Sequence, residues 1–329
     1  MNAVSSFLRN YGVVIALLAF LVIGEWRYDD WQFDKFLGSF NVLSYLRYTS
    51  MSLLVALGMA FVIFTGGIDL SVGAVVALGS VTAAMASQYG LTAGVAAGVG
   101  AGVLVGVMNA AIITRLAIAP FIATLATMLA ARGAALLLAG NQSVAISTDT
   151  AFMSFGQDDL LGFPIPAWIA LAAYIIGSIA LNFTSFGRNT LAVGGNEDAA
   201  RLMGLRADRV KFAVYVLSGA LSGLAGASLA AQNFAGQPLE GTGWELSAIA
   251  AVVVGGTLLT GGRGSVGTTL AGALLLGLIF NMLNFENGLG IVSLSAYWQS
   301  VIRGLILLAV VILQVKLTER RPQAATQAE

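Results

Sequence analysis

The chain has 329 residues, 58% of them hydrophobic and only 10% charged, with a mean hydropathy of +0.87. A soluble domain carries about 25% charge, so this composition predicts one integral membrane domain over residues 1–329. Basic and acidic residues balance at 16 each, which gives no case for nucleic-acid binding; the absence of Cys and His removes disulfides, the usual zinc ligands and the usual general base.

Arg9 precedes an apolar run over 11–24 with no small-x-small cleavage site after it, so the run reads as a first span rather than a removed signal. Ten hydrophobic segments are predicted, at 7–24, 48–66, 71–88, 91–114, 117–139, 164–185, 212–233, 246–260, 266–284 and 297–315. Their apolar runs are continuous rather than alternating, which argues against a β-barrel. The expected fold is an all-α polytopic membrane protein of about ten transmembrane helices, with both termini cytoplasmic. Alternation then places Arg9, Arg115, Arg188, Arg201, Arg206, Arg209, Lys211, Arg263, Lys316, Arg320 and Arg321 inside. Most acids, among them Asp149, Asp158, Asp159, Glu240, Glu245 and Glu286, fall outside, as cytoplasmic loops enriched in Lys and Arg require. Arg27, Lys35 and Arg47, in the loop 25–47, are the exceptions.

Two short motifs match along the chain. Gly67-Ile68-Asp69-Leu70-Ser71 precedes segment three, and Gly243-Trp244-Glu245-Leu246-Ser247 precedes segment eight. Asn109, four positions into Gly106-Val107-Met108-Asn109, closes segment four, and Asn281 follows Gly277 in segment nine. These matches pair segments at an offset of five, an odd number, so the halves (about 7–139 and 164–315) are expected to insert with opposite polarity. Segments three and eight are also the shortest, and glycines flank both. Short, Gly-interrupted segments at corresponding positions of inverted repeats point to a transport site. Asp69, Ser71, Asn109, Glu245, Ser247 and Asn281 are therefore the candidate pathway residues, against the plainer reading that the acids cap helices and the amides bond between helices. Thr65-Gly66-Gly67 also resembles Thr260-Gly261-Gly262 at an offset of six, which reads as convergent Gly-rich turns.

Among the 40 glycines, Gly94, Gly98, Gly102 and Gly106 recur every four residues in segment four, and Gly219 and Gly223 do so in segment seven. Such faces let helices approach closely in lipid, within the chain or against a second subunit. Arg132 and Arg303 lie in apolar runs, where snorkelling to an interface is expected.

Residues 188–211, within the expected cytoplasmic loop 186–211, form a polar stretch between two uncharged runs, 160–187 and 212–239. Within it Asn196 suits an N-cap, Glu197 and Asp198 suit a first turn, and Gly204 suits a left-handed end. The helix so defined has about two turns, far below the ~12–15 residues an isolated helix needs in water. Its apolar residues Ala199, Leu202, Met203 and Leu205 have little of their own chain to pack against and point to a partner that receives it at the membrane surface. The chain itself has no Gly-x4-Gly-Lys-[Ser/Thr] phosphate loop, since its only lysines are Lys35, Lys211 and Lys316.

Three stretches carry a family resemblance: residues 65–73, residues 194–204 and residues 255–262. Together they resemble the ribose/xylose/galactose-type permeases of bacterial ABC importers over about 50–313. Within that group Gln232 with Ala235-Gly236, Glu245 to Ala250, and residues 281–286 are most similar to the galactofuranose importer permeases. The resemblance implies an inner-membrane, multi-pass subunit that works as a homo- or heterodimer of permeases, with a separate ATP-binding subunit and a periplasmic sugar-binding protein. It implies no cofactor and no metal. It makes the helix after Gly195 the one that couples to the ATPase, through Asn196, Glu197, Asp198, Arg201, Leu202, Met203 and Leu205. An ion-gradient-driven carrier, or a nucleoside or branched-chain amino-acid permease of the same architecture, is the alternative.

Overall fold

The computed structural model describes residues 3–29 and 31–288, with positions 298, 301, 302, 304, 305, 308 and 312. Most of the expected tenth segment, with Arg303, Lys316, Arg320 and Arg321, lies outside the described residues. In chain order the helices are α1 (Ala3–Asp29), α2 (Ser39–Phe64), α3 (Val72–Ala86), α4 (Leu91–Arg115), α5 (Pro120–Leu138), α6 (Ser154–Gln157), α7 (Ile165–Phe183), α8 (Ser185–Gly195), α9 (Glu197–Leu202), α10 (Ala207–Gln232), α11 (Trp244–Val254) and α12 (Val266–Gly288). Four two-residue strands accompany them: β1 (Val144–Ala145), β2 (Asp159–Leu160), β3 (Phe163–Pro164) and β4 (Ala235–Gly236).

Among the described residues, seven helices are long and apolar enough to cross a membrane: α2, α3 with its following turn, α4, α5, α7, α10 and α12. Segment eight is a correction to the expected spans. It forms only the 11 residues of α11, roughly 16 Å of helix against a hydrocarbon core of about 30 Å. Local chemistry sets the boundaries. Gly66 (φ +78°) follows the end of α2 and Gly90 (φ +106°) precedes α4, while Pro120 and Pro166 occupy the first turns of α5 and α7.

The core centres on α10, which packs against α2, α3 and α4. The glycine faces lie inside it. A Cβ at Gly102 would overlap the Gly219 carbonyl, one at Gly219 the Gly102 carbonyl, and one at Gly106 would come 2.6 Å from Tyr215 O. The period-four stripe of α4 thus faces α10 of the same chain, which resolves the choice in favour of internal packing.

The connections sort onto two ends. At one, β1 pairs antiparallel with β4 (Val144↔Gly236, Ala145↔Ala235), β2 pairs with β3, and Arg47 meets Asp159 at 2.7 Å. The loop after α1 is folded there around two buried carboxylates: Glu25 accepts the Phe33 and Leu37 N–H groups, and Asp29 those of Asp34 and Lys35. At the other end, α8 and α9 lie beside the turns that follow α2 and α11. Between β4 and α11 the chain turns inward along α3. Gly236 abuts Ser80 and Gly241 abuts Gly73, so α11 begins inside the bundle.

Candidate functional site

The six candidate pathway residues separate into two environments. Asp69 sits on the turn between α2 and α3 and is 1% exposed. Its Oδ1 accepts the Ser71 N–H (3.0 Å) and the Ser71 hydroxyl (2.6 Å), and its Oδ2 accepts Ser218 Oγ of α10 (2.8 Å). Asn109 of α4 donates to Ser71 Oγ (2.9 Å) and accepts from Thr127 Oγ1 of α5 (2.5 Å). Tyr215 Oη and Thr124 Oγ1 donate to the Ile68 carbonyl of the same turn. Three helices thus pin one loop through a closed set of hydrogen bonds. A buried polar group is tolerated when its partners are supplied, and here they all come from the protein. The expected amide bonding of Asn109 is present. The acid does bond the start of α3, as a capping reading has it, but it also ties in α10.

Glu245 and Ser247 lie in the first turn of α11. A Cβ placed at Gly73 would stand 2.7 Å from Glu245 Oε2, so this acid approaches the beginning of α3 from the other connection. The loop that delivers it is held by Arg132. Its Nη1 donates to the Pro238 and Glu240 carbonyls at 2.6 and 2.7 Å. The Arg132 guanidinium, for which the sequence suggested only snorkelling, satisfies two carbonyls of an inward-turning loop. The apolar run around it concealed that role, since the partners lie more than a hundred positions away.

Alongside, α2, α11 and α12 border an open groove of about 890 Å³. Ser247 and Asn281 line it, with Asn41, Ser44, Tyr45, Ser52 and Trp244 among the others. Asn281 exchanges amide hydrogen bonds with Asn41 (2.9 and 3.1 Å), and Tyr45 Oη donates to Leu274 O at 2.6 Å. Aromatic faces beside hydroxyls and amides suit a small polyhydroxylated ligand: apolar area for its C–H faces and a few placed polar groups for orientation. Asn41, Tyr45 and Trp244 were missed from sequence because a wall made by three distant helices leaves no local pattern. Among the described residues no group of three or more Asp, Glu, His or Cys side chains could hold a metal ion.

The helix predicted after Gly195 is α9. Asn196 Oδ1 caps it by accepting the Ala199 N–H at 2.9 Å, and Gly204 takes φ +85°. Leu202 and Met203 are 89% and 77% exposed. Leu205 instead packs inward on a small cluster of Val193, Ala200, Ala207 and Val210, so the helix has more of its own chain beneath it than its length suggested. It also has an ion-pair lattice. Glu197 accepts from Arg201 (2.9 Å) and Lys211 (2.5 Å), and Arg201 pairs with Asp208 at 2.5 Å. Partial burial raises the Glu197 carboxyl, but the hydrogen bonds from Lys211 and Arg201 outweigh it and hold the group below its ordinary range. Asp198 is exposed. The large apolar side chains left outward on this surface are those of Leu202 and Met203.

The family model described as branched-chain amino acid transport system / permease component matches residues 41–311. The ribose import permease protein RbsC of Bacillus subtilis (strain 168) is 45% identical over 285 residues, covering 86% of this chain and 87% of that protein. The L-arabinose transport system permease protein AraH of Escherichia coli (strain K12) is 44% identical, covering 80% and 79%. The ribose import permease protein RbsC of Escherichia coli (strain K12) is 38% identical, covering 84% and 86%. No solved structure matches the chain. Matched over most of its length, the chain belongs to the branched-chain amino acid transport system / permease component family.

Proposed function

We propose that the chain is the permease subunit of a bacterial ATP-driven importer of a monosaccharide, galactofuranose or a related simple sugar. It would act in the inner membrane, with its halves related as inverted repeats and both termini cytoplasmic. Relatives named for ribose and L-arabinose support a sugar as cargo, and the amide, hydroxyl and aromatic lining of the groove supports a path along α2, α11 and α12. A separate ATP-binding subunit would dock on α9, a second permease subunit would complete the path, and a periplasmic sugar-binding protein would deliver the cargo.

The observation that carries this reading is α9: a capped, ion-paired helix whose two large apolar side chains face outward. A helix ordered to that degree at a membrane surface presents Leu202 and Met203 to something. Each contributes roughly 1.5–3 kcal/mol if a partner buries it fully. Replacing both by Ser is expected to leave membrane insertion intact, because neither is buried in this chain. It is expected to weaken co-purification of the ATP-binding subunit and to lower sugar-stimulated ATP hydrolysis, with sugar binding to the periplasmic protein unchanged. Normal co-purification with normal stimulated turnover removes the reading. Uptake into vesicles that needs ATP and ignores protonophores separates it from an ion-gradient-driven carrier. Titration of the periplasmic protein with galactofuranose, ribose and arabinose names the sugar.

A further inference from the structure

Three glycine-rich turns, far apart in sequence, meet backbone to backbone at the end of the bundle that carries α9. They are Gly66-Gly67 after α2, Gly194-Gly195 closing α8, and Gly261-Gly262 between α11 and α12. The Gly262 N–H donates to the Phe64 carbonyl at 3.0 Å. A Cβ on Gly194 would overlap that same carbonyl oxygen and lie 2.6 Å from Gly262 N. A Cβ on Gly261 would come 2.5 Å from Gly66 N, and one on Gly262 would come 2.6 Å from Gly195 Cα. Gly66, Gly261 and Gly262 all have positive φ, at +78°, +83° and +74°, so two of the turns need glycine for their conformation as well as for the contact.

Two properties of this junction matter. The first is what it connects. Phe64 ends α2, and Gly261-Gly262 join α11 to α12, so the turns belong to the three helices that border the groove. Gly194 belongs to α8, which leads into α9 through the single residue Asn196. The second is its stiffness. Side chains in contact can accommodate a displacement by changing rotamer; main chains in contact have no such freedom, and packed interiors transmit strain.

We propose that Gly194 is a positioning residue for transport: by touching Phe64 and Gly262 directly, it carries displacement of the α8–α9 unit into the backbones of all three groove helices. This rests on the reading that α9 receives the ATP-binding subunit. Its neighbour Gly195 supplies an internal control, because nothing lies within 4 Å of a Cβ placed there.

The test uses the assembled transporter in proteoliposomes, with the Gly194→Ala and Gly195→Ala permeases made side by side. Both are expected to retain the ATP-binding subunit on purification. Gly195→Ala is expected to import sugar per ATP hydrolysed as the unaltered protein does. Gly194→Ala is expected to hydrolyse ATP but import about tenfold less per ATP, within the range of site-to-site coupling. Normal coupling in Gly194→Ala overturns the junction. Failure of the unaltered permease to retain the ATP-binding subunit overturns the docking reading instead. A measurement that does not depend on Gly194→Ala folding uses spin labels. The chain has no native Cys, so Gly195→Cys with Arg263→Cys labels the junction alone, and Tyr48→Cys with Thr242→Cys labels the groove side. On ATP binding the separation 195–263 is expected to stay constant while 48–242 changes. A junction that separates while the groove changes overturns the proposal.

Discussion

The turn bearing Asp69 and the turn bearing Glu245 share a motif, Gly-apolar-acid-Leu-Ser, and have opposite surroundings. Around Asp69 both carboxylate oxygens, Ser71, Asn109, Thr127 and Ser218 are bonded to one another and shut away. Around Glu245 the chain is held from behind by Arg132, while Ser247 and Asn281 look onto the groove. Residues matched by motif form a closed frame at one turn and border a groove near the other. A fully satisfied polar cluster in a dry interior rigidifies what it joins. Similar groups along an open groove keep part of their hydrogen-bonding capacity for water or a ligand.

The sharpest way to break that contrast is Asp69→Ala. It deprives the Ser71 N–H, the Ser71 hydroxyl and the Ser218 hydroxyl of their acceptor. At roughly 1–3 kcal/mol for each buried group left unpaired, the expected result is a loss of at least about 3 kcal/mol, read as a fall in folded, monodisperse protein. A variant that folds normally yet does not transport would place Asp69 on the path and erase the distinction. Next comes Arg132→Lys, which keeps a charge but has a shorter reach to the Pro238 and Glu240 carbonyls that both accept from Nη1. A cost of about 1.5 kcal/mol is expected, with a lowered thermal midpoint and greater protease access to residues 233–243. Asn281→Ala removes both part-buried amide bonds to Asn41; at the low end of roughly 0.5–1.5 kcal/mol for each it is expected to cost about 1 kcal/mol of stability, but to lower uptake by more than it lowers folded protein. The smallest effect belongs to α9, away from both turns. Because Glu197 is held below its ordinary range, its pairing stabilises α9 above the unfolded-state value near 4.3 and is lost as pH falls through the folded value. Amide exchange at 199–203 is expected to quicken below about pH 4.3 and in high salt, with at most ~1 kcal/mol involved for an exposed pair.

Much of this molecule was legible in its sequence, and the limits have physical causes. Continuous apolar runs revealed the spanning helices, because period and length are local properties. The cap at Asn196, the first-turn acids and the glycine at 204 located α9 closely for the same reason. The two Gly-rich turns at 65–67 and 260–262, read as unrelated, lie against each other. Their likeness reflects a shared need for close backbone approach that no single-chain pattern displays. The partners of Arg132 were hidden because they are carbonyls, which leave no mark in composition. The inward course of 233–243 escaped notice because its polarity reads as an ordinary outer loop. The lattice of Glu197, Arg201, Asp208 and Lys211 was visible as charge but not as pairing, since the last two lie on the next helix.

Pairing of β1 with β4, just where the inward loop leaves the rim, has a mechanical consequence. Val144 and Ala145 grip the loop at 235–236, and Arg132 grips it again at 238 and 240. The loop that leads into α11 is therefore braced against α5 and its following segment at successive points. Across the groove, α2 and α12 are joined by the amides of Asn41 and Asn281 and by Tyr45 on Leu274. Any widening of the groove at that rim is therefore expected to move α2 and α12 together, so a crosslink between those two helices should leave it free where a crosslink from α2 to the braced loop should stop it.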